Sequence, residues 1–326
     1  MLINASNPGQ LGNRLQKFAH LIAFSITNNQ KIVNLGFTEY ADLFENTSQD
    51  ILCRYPPKRS VLKFHFLRTS LSRFSRFLVR RKILEKFGGK KIKVVYAYPF
   101  TNKPKIEFRL DSPEFLASVN NKRIIFTWGY HFVDYVNLLK HSDRIREYFT
   151  PQSIHLANIN ALIEKARSTC DVLVGVHIRH TDFKRYKEGQ FYYDVDEYVD
   201  QMKKMEKLFP AKKVGFLVCS DELQDISRFH PLTVTYGTSH IIEDMYSLAR
   251  CDYIIGPWST YSRWASFYGN VPIYNIDDVT LDFTLNDFKY FEEIVHRHME
   301  TAAIFPRAAS AAAQTDSSDH RVTLQS

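Results

Sequence analysis

The sequence predicts an α/β chain of two domains, each built on parallel strands that alternate with helices. Three observations carry that expectation. The 326 residues suffice for two domains at about 150 residues each. Hydrophobic residues make up 44% and charged residues 24%, a globular balance rather than a disordered or fibrous one. Short apolar, β-branched runs alternate with stretches of helical periodicity, most clearly after Pro151.

Each element follows in order. Asn7 to Asn13 holds Pro8, Gly9 and Gly12 and reads as a turn. Leu15, Phe18, Leu21 and Ile22 then recur at helical spacing. Residues 31–36 and 93–98 read as short strands, and 123–128 as a buried strand ending at Gly129. Residues 137–149 read as one helix that Pro151 terminates, which places the first boundary there. The expected domains are 1–150 and 151–298. The second domain reads helix 154–167, strand 171–178, helix 196–209, strand 213–220, helix 241–251, strand 253–256, helix 259–269 and strand 271–276. In helix 196–209, Tyr198, Met202, Met205 and Leu208 share the inward face. Such alternation implies parallel sheets with helices on both faces. Residues 299–326 are rich in Ala, Ser, Gln and Asp and read as a disordered tail.

Several classes drop out. Cys53, Cys170, Cys219 and Cys251 include no C-x-x-C pair, which excludes a zinc ribbon, a thioredoxin-type motif and a disulfide scaffold. The first residues show neither a basic nor an apolar leader segment. No run reaches the ~20 apolar residues of a membrane span. The sequons at Asn4 and Asn46 read as chance. The expected location is the cytoplasm, with peripheral contact at the inner face of a membrane as an extension of it.

That extension comes from charge. Residues 54–93 carry fourteen Lys and Arg against Glu85 alone, a local charge of +13 within a chain of net +8. Phe64, Leu67, Leu71, Phe74 and Leu78 form an apolar stripe there, with Arg73, Arg76 and Arg80 on the other side. An interfacial membrane helix has this pattern. So does a helix that packs its stripe on its own core beneath solvated arginines, and both readings stand. Aromatics interleaved with arginines also suit nucleic acid, although no nucleic-acid partner is expected.

Ligands of open parallel sheets bind at the carboxyl ends of the strands. Three such ends are unusual here. His177 and Arg179 lie i, i+2 on one strand face, with Asp182 just beyond. Ser220, Asp221 and Glu222 end the next strand. Ser259 and Thr260 open a helix directly after a third. Hydroxyls and free N–H groups at a helix start suit a phosphate, and a neighbouring guanidinium adds a bidentate contact. Singly, each has a plain explanation: an ion-pair cluster, a helix cap at Asp221, an N-cap at Ser259. At successive strand ends they point together to a pyrophosphate site that uses no metal. Asp194-Val-Asp196 is formally a D-x-D metal motif, but it precedes an amphipathic helix and reads as capping acids. Gly9 to Asn13 matches neither a dinucleotide fingerprint nor a P-loop.

These residues resemble the α1,2-fucosyltransferase family. Gly9-Gln10-Leu11-Gly12-Asn13-Arg14, before a helix with Phe18-Ala19, resembles its N-terminal glycine signature. His177-Ile178-Arg179-His180-Thr181-Asp182 resembles the H-x-R-x-x-D motif shared with α1,6- and protein O-fucosyltransferases. Cys219 to Glu222, Ile242 to Tyr246 and Ser259 to Ala265 resemble its later blocks, and Trp128-Gly129-Tyr130 before Ile145-Arg146 fits a further stretch. The likeness runs from about residue 8 to about 275. His180, Tyr261 and Arg263 depart from the family pattern, and these departures bear on the acceptor more than the donor.

The resemblance implies a GT-B fold: two Rossmann-like domains facing across a cleft. It implies GDP-β-L-fucose as donor, an inverting transfer to a glycan hydroxyl such as position 2 of galactose, and no required metal. It assigns the β-phosphate to Arg179, with His177 supporting that site. Guanine N1 and N2 fall to Asp244, and the diphosphate to Ser259 and Thr260. Ser220, Asp221 and Tyr261 join the donor site, and Gly12 and Asn13 cap it from the first domain. Asp182 is the candidate base, or else orients Arg179. Two other functions fit less of the chain. One is an inactive basic module that binds membrane or nucleic acid, and the other is fucosylation of protein or lipid-linked acceptors.

Overall fold

A computed structural model describes residues 1–60, 65–97 and 107–304. Twelve strands lie within them: β1 (Leu2–Asn4), β2 (Ile32–Asn34), β3 (Arg54–Tyr55), β4 (Ile92–Ala97), β5 (Phe108–Arg109), β6 (Ile124–Gly129), β7 (Phe132–Val133), β8 (Val172–Ile178), β9 (Val214–Ser220), β10 (Val234–Tyr236), β11 (Tyr253–Gly256) and β12 (Ile273–Asn275). The first sheet has the order β3-β2-β1-β6-β4, parallel except for β3. The second, β10-β9-β8-β11-β12, is parallel throughout. β5 and β7 pair separately. β8 is central in its sheet and buried at every residue, which is why it reads as a continuous apolar run.

The two sheets share a core. The helix Leu11–Asn28 buries Leu15, Phe18 and Ile22 and packs against the helix Thr260–Gly269 of the second half. Phe18 meets Phe149 edge-on at 5.5 Å, and Phe149 meets Trp264 at 5.2 Å. One continuous apolar cluster therefore runs from Leu2 through Phe18 and Trp264 to Ile273. A second cluster fills the other face of the β8 sheet, where Tyr198, Met202 and Met205 of the helix Val195–Lys207 face inward as their spacing predicts. Leu208 is half-buried against it.

Some expectations change. The helix expected over 137–149 is two, Tyr135–Lys140 and Ser142–Tyr148, with His141 between them. Residues 299–304 are not tail but continue the helix Phe291–Ile304, which returns to the first half through His298 and Glu107, 3.0 Å apart. The rest of the expected tail, 305–326, lies outside the described residues. Strands β1, β3, β5, β7 and β10 have two or three residues each, too few to show a period.

The basic helix, His65–Arg80, does not pack its apolar stripe on the core. Its buried side is Arg68, Ser72, Ser75 and Val79. Arg68 pairs with Asp42 at 2.7 Å and donates to the carbonyls of Thr47 and Ser48. Leu71 and Phe74 of the stripe, with Phe77 and Phe87 nearby, are 38%, 59%, 50% and 75% exposed. Leu67 and Leu78 are half-buried, and Phe64 lies outside the described residues. A helix that docks through Arg68, two serines and Val79 and turns Phe74 and Phe77 outward contradicts the core-packing reading. Among the described residues no helix is long and apolar enough to cross a membrane.

Candidate active site

The carboxyl ends of β8 and β11 and the start of the Leu11–Asn28 helix converge on one cavity of about 640 Å³ between the halves. Arg179 lines it. Its Nε and one terminal nitrogen both donate to Asp182, at 2.8 Å each. The other terminal nitrogen reaches Ser259 Oγ at 3.4 Å. A further bond to Gln10 Oε1, 3.2 Å, ties it to the first half. The guanidinium is thus held rigidly beside a helix start. Both Asp182 oxygens are occupied by it, and the bonds from Arg179 hold the Asp182 carboxyl below its ordinary range. Of the two roles expected for Asp182, this geometry fits orientation of Arg179.

Ser259 is the N-cap of the helix Thr260–Gly269, its Oγ accepting from the Tyr261 amide at 3.2 Å. Thr260 Oγ1 donates to Asn13 Oδ1 at 2.7 Å, and the Tyr130 hydroxyl donates to the same oxygen. Gly12 explains this close approach. A Cβ there would sit 2.7 Å from the Thr260 carbonyl carbon, so only glycine lets the two helix starts touch.

Other expected residues lie outside the cavity lining. His177 is buried, stacks on Tyr261 at 4.9 Å, and has no partner for Nδ1 among the described residues. Burial, then the Arg179 charge, lowers its pKa to about 3, so the imidazole is neutral and adds no cation. Tyr261 donates to the Ile241 carbonyl at 2.8 Å. Ser220 Oγ accepts from the Gln224 amide at 3.0 Å. Asp221 does not cap a helix. It accepts from the His180 amide at 2.8 Å and the Thr181 hydroxyl at 2.5 Å, bracing the turn that carries Arg179 and Asp182. Asp244 is buried and accepts from the Thr238 amide at 2.7 Å, and burial raises its pKa to about 6. The structure therefore gathers Asn13, Arg179, Asp182, Ser259 and Thr260 around the cavity. Gly12, His177, Ser220, Asp221, Asp244 and Tyr261 do not line it.

In the D-x-D segment, Asp194 is the N-cap of Val195–Lys207 in a reciprocal capping box with Glu197, and Asp196 pairs with Arg228 at 2.6 Å. Both carboxylates are engaged as helix-start acids.

Gln10, Tyr130, Glu107, Trp258 and Arg263 also bear on the site; of these the sequence marks Arg263, as a departure from the family pattern that bears on the acceptor, and Gln10 and Tyr130 only as members of longer stretches. Tyr130 follows Gly129, whose φ of +119° turns the chain off β6 beneath the cavity. Its place in the Trp128-Gly129-Tyr130 stretch was the available signal. Gln10 carries no signal of its own, because its partner is 169 positions away.

No protein-family model and no curated protein sequence matches the chain. Solved structures do. FUT1 of Arabidopsis thaliana, a variant in complex with GDP, is similar at a TM-score of 0.52 and 12% identity, over 85% of this chain and 71% of that one. POFUT1 in complex with GDP-fucose is similar at a TM-score of 0.51 and 13% identity, over 83% of this chain and 94% of that one. With the two parallel α/β sheets meeting at a shared cavity, these likenesses establish the fold as GT-B: two Rossmann-like domains facing across a cleft.

Proposed function

We propose that the protein transfers L-fucose from GDP-β-L-fucose to a glycan hydroxyl, position 2 of a galactose, with inversion and without a required metal. The observation that carries this reading is Arg179, clamped by Asp182, Gln10 and Ser259 beside a helix start at the cleft. The complexes of the two similar folds, with GDP and with GDP-fucose, support the donor class. As the sugar–phosphate bond breaks, its electron pair passes to the β-phosphate oxygen. Arg179 and the N–H groups beyond Ser259 meet that charge. The acceptor oxygen bonds to the sugar carbon from the opposite face, and its proton passes to a base.

A thermal-shift panel of GDP, UDP, ADP and CMP tests the donor. GDP alone is expected to stabilise the protein, and transfer is expected to persist in EDTA. Stabilisation by UDP rather than GDP, or a loss in EDTA that Mn²⁺ restores, would overturn this reading.

In this reading Asp244 accepts from guanine N1 and N2. Its carboxyl is raised to about 6, so it is ionised at pH 7.5 and protonated at pH 5. GDP affinity should accordingly fall as pH drops through 6. The Asp244→Asn variant should lose that pH dependence and lose more affinity for GDP than for IDP, which lacks the N2 donor. Equal losses for both nucleotides would remove Asp244 from the base pocket.

The same reading includes peripheral contact with an anionic membrane through residues 54–93. The outward Phe74, Phe77 and Phe87 among exposed basic residues support it.

A further inference from the structure

The charges around the cleft do not balance. Three carboxylates line the cavity, and each has a partner: Asp182 with Arg179, Glu107 with His298 and Tyr135, Asp277 with the Trp258 indole N–H. Two of its cations are also committed, and a third, Lys187, is exposed to solvent over the Phe191 ring. Lys17 is buried and spends its ammonium on Asn4, Ser6 and the Gly129 carbonyl, at 2.6–2.8 Å. Arg179 is clamped as described. Arg263 differs. Among the described residues it makes no ion pair, and its buried Nε has no acceptor. Its guanidinium carbon lies 6.0 Å from the Trp258 ring, on the cavity wall.

A half-buried guanidinium with no carboxylate in contact carries a desolvation cost that the more distant Glu107 charge offsets only in part. A carboxylate or phosphate is the group whose two oxygens match its fork. The donor diphosphate is not that anion in the reading above, because Arg179 and the helix start already meet it. Arg263 lies one turn further along the same helix, four residues after Ser259. We propose that Arg263 recognises an anionic group, a carboxylate or a phosphate, on the acceptor glycan, so that the acceptor is an acidic saccharide. The proposal rests on the transfer reading for the word acceptor, but the anion site itself does not.

The test uses full-length protein saturated with GDP, titrated with galactose, galacturonate and galactose 6-phosphate and read by calorimetry. At least one anion is expected to bind about 10- to 100-fold more tightly than galactose, the range of a charge-assisted pair. Whichever anion wins identifies the source of the charge. Arg263→Gln should abolish the preference with GDP affinity unchanged. Arg263→Lys keeps a point charge without the fork and should lose several-fold. The proposal is overturned if galactose and both anions bind alike, or if the preference survives Arg263→Gln. Should that variant fail to fold, an unaltered preference in Arg263→Lys overturns it instead. If GDP does not bind the wild type, the transfer reading falls, while the comparison of wild type with Arg263→Gln still decides the anion site.

Discussion

Replacing Arg179 by alanine is expected to slow fucosyl transfer about 10²- to 10³-fold, the usual cost of removing one preorganised group that meets transition-state charge. The loss belongs in turnover more than in donor affinity, because the leaving phosphate gains its extra charge only as the bond breaks. Arg179→Lys should not restore the rate. The observed guanidinium makes four bonds in three directions, to Asp182, Ser259 and Gln10, and an ammonium cannot hold that geometry. Asp182→Asn should cost less, since it loosens the clamp but leaves the cation. Steady-state transfer rates of the three variants decide the matter. Wild-type turnover in the alanine variant would remove Arg179 from the reaction.

The second large effect is expected at a membrane. The helix His65–Arg80 meets the protein through Arg68, Ser72, Ser75 and Val79, which leaves Leu71, Phe74 and Phe77 outward between Arg73, Arg80 and Arg81. Each basic residue near an anionic leaflet contributes about 1 kcal/mol, screened by salt. Each Phe inserted adds up to about 1.5–3 kcal/mol. Co-sedimentation should therefore show salt-sensitive binding to vesicles containing phosphatidylserine and weak binding to phosphatidylcholine alone. Changing Arg73, Arg76 and Arg80 to Glu should remove binding with GDP affinity intact. Changing Phe74 and Phe77 to Ser should weaken it while leaving the salt sensitivity. Binding that ignores both sets of changes would sink the assignment.

Much of this was legible in the residues, and what was not has physical causes. β8 and β9 could be read because central parallel strands are apolar along their whole length. The helix Val195–Lys207 could be read because one face is buried and one wet. β1 could not, since three residues at the centre of a sheet show no period. The basic helix misleads by its own pattern. Its stripe is apolar and periodic, yet the buried face is set by the Arg68–Asp42 pair and two serines, which no hydrophobic count detects. At the site, the strand-end residues Arg179, Asp182, Ser259 and Thr260 announced themselves through local chemistry. Gln10, Glu107 and Arg263 take their meaning from partners, or from the lack of one, across the fold. Asp221 looked like a ligand because it is an acid at a strand end, and it is a brace for the same reason: that turn has free amides to satisfy.

The shared core at Phe18, Phe149 and Trp264, with Gly12 pressed against Thr260, constrains how the molecule moves. Domains joined by a thin linker open like a book. Here the spine is filled with aromatic rings, and prising it apart would expose the same apolar surface that unfolding exposes. Traffic into and out of the cleft therefore belongs to side chains that line it, such as the exposed Tyr186, while the two halves gain and lose their structure together.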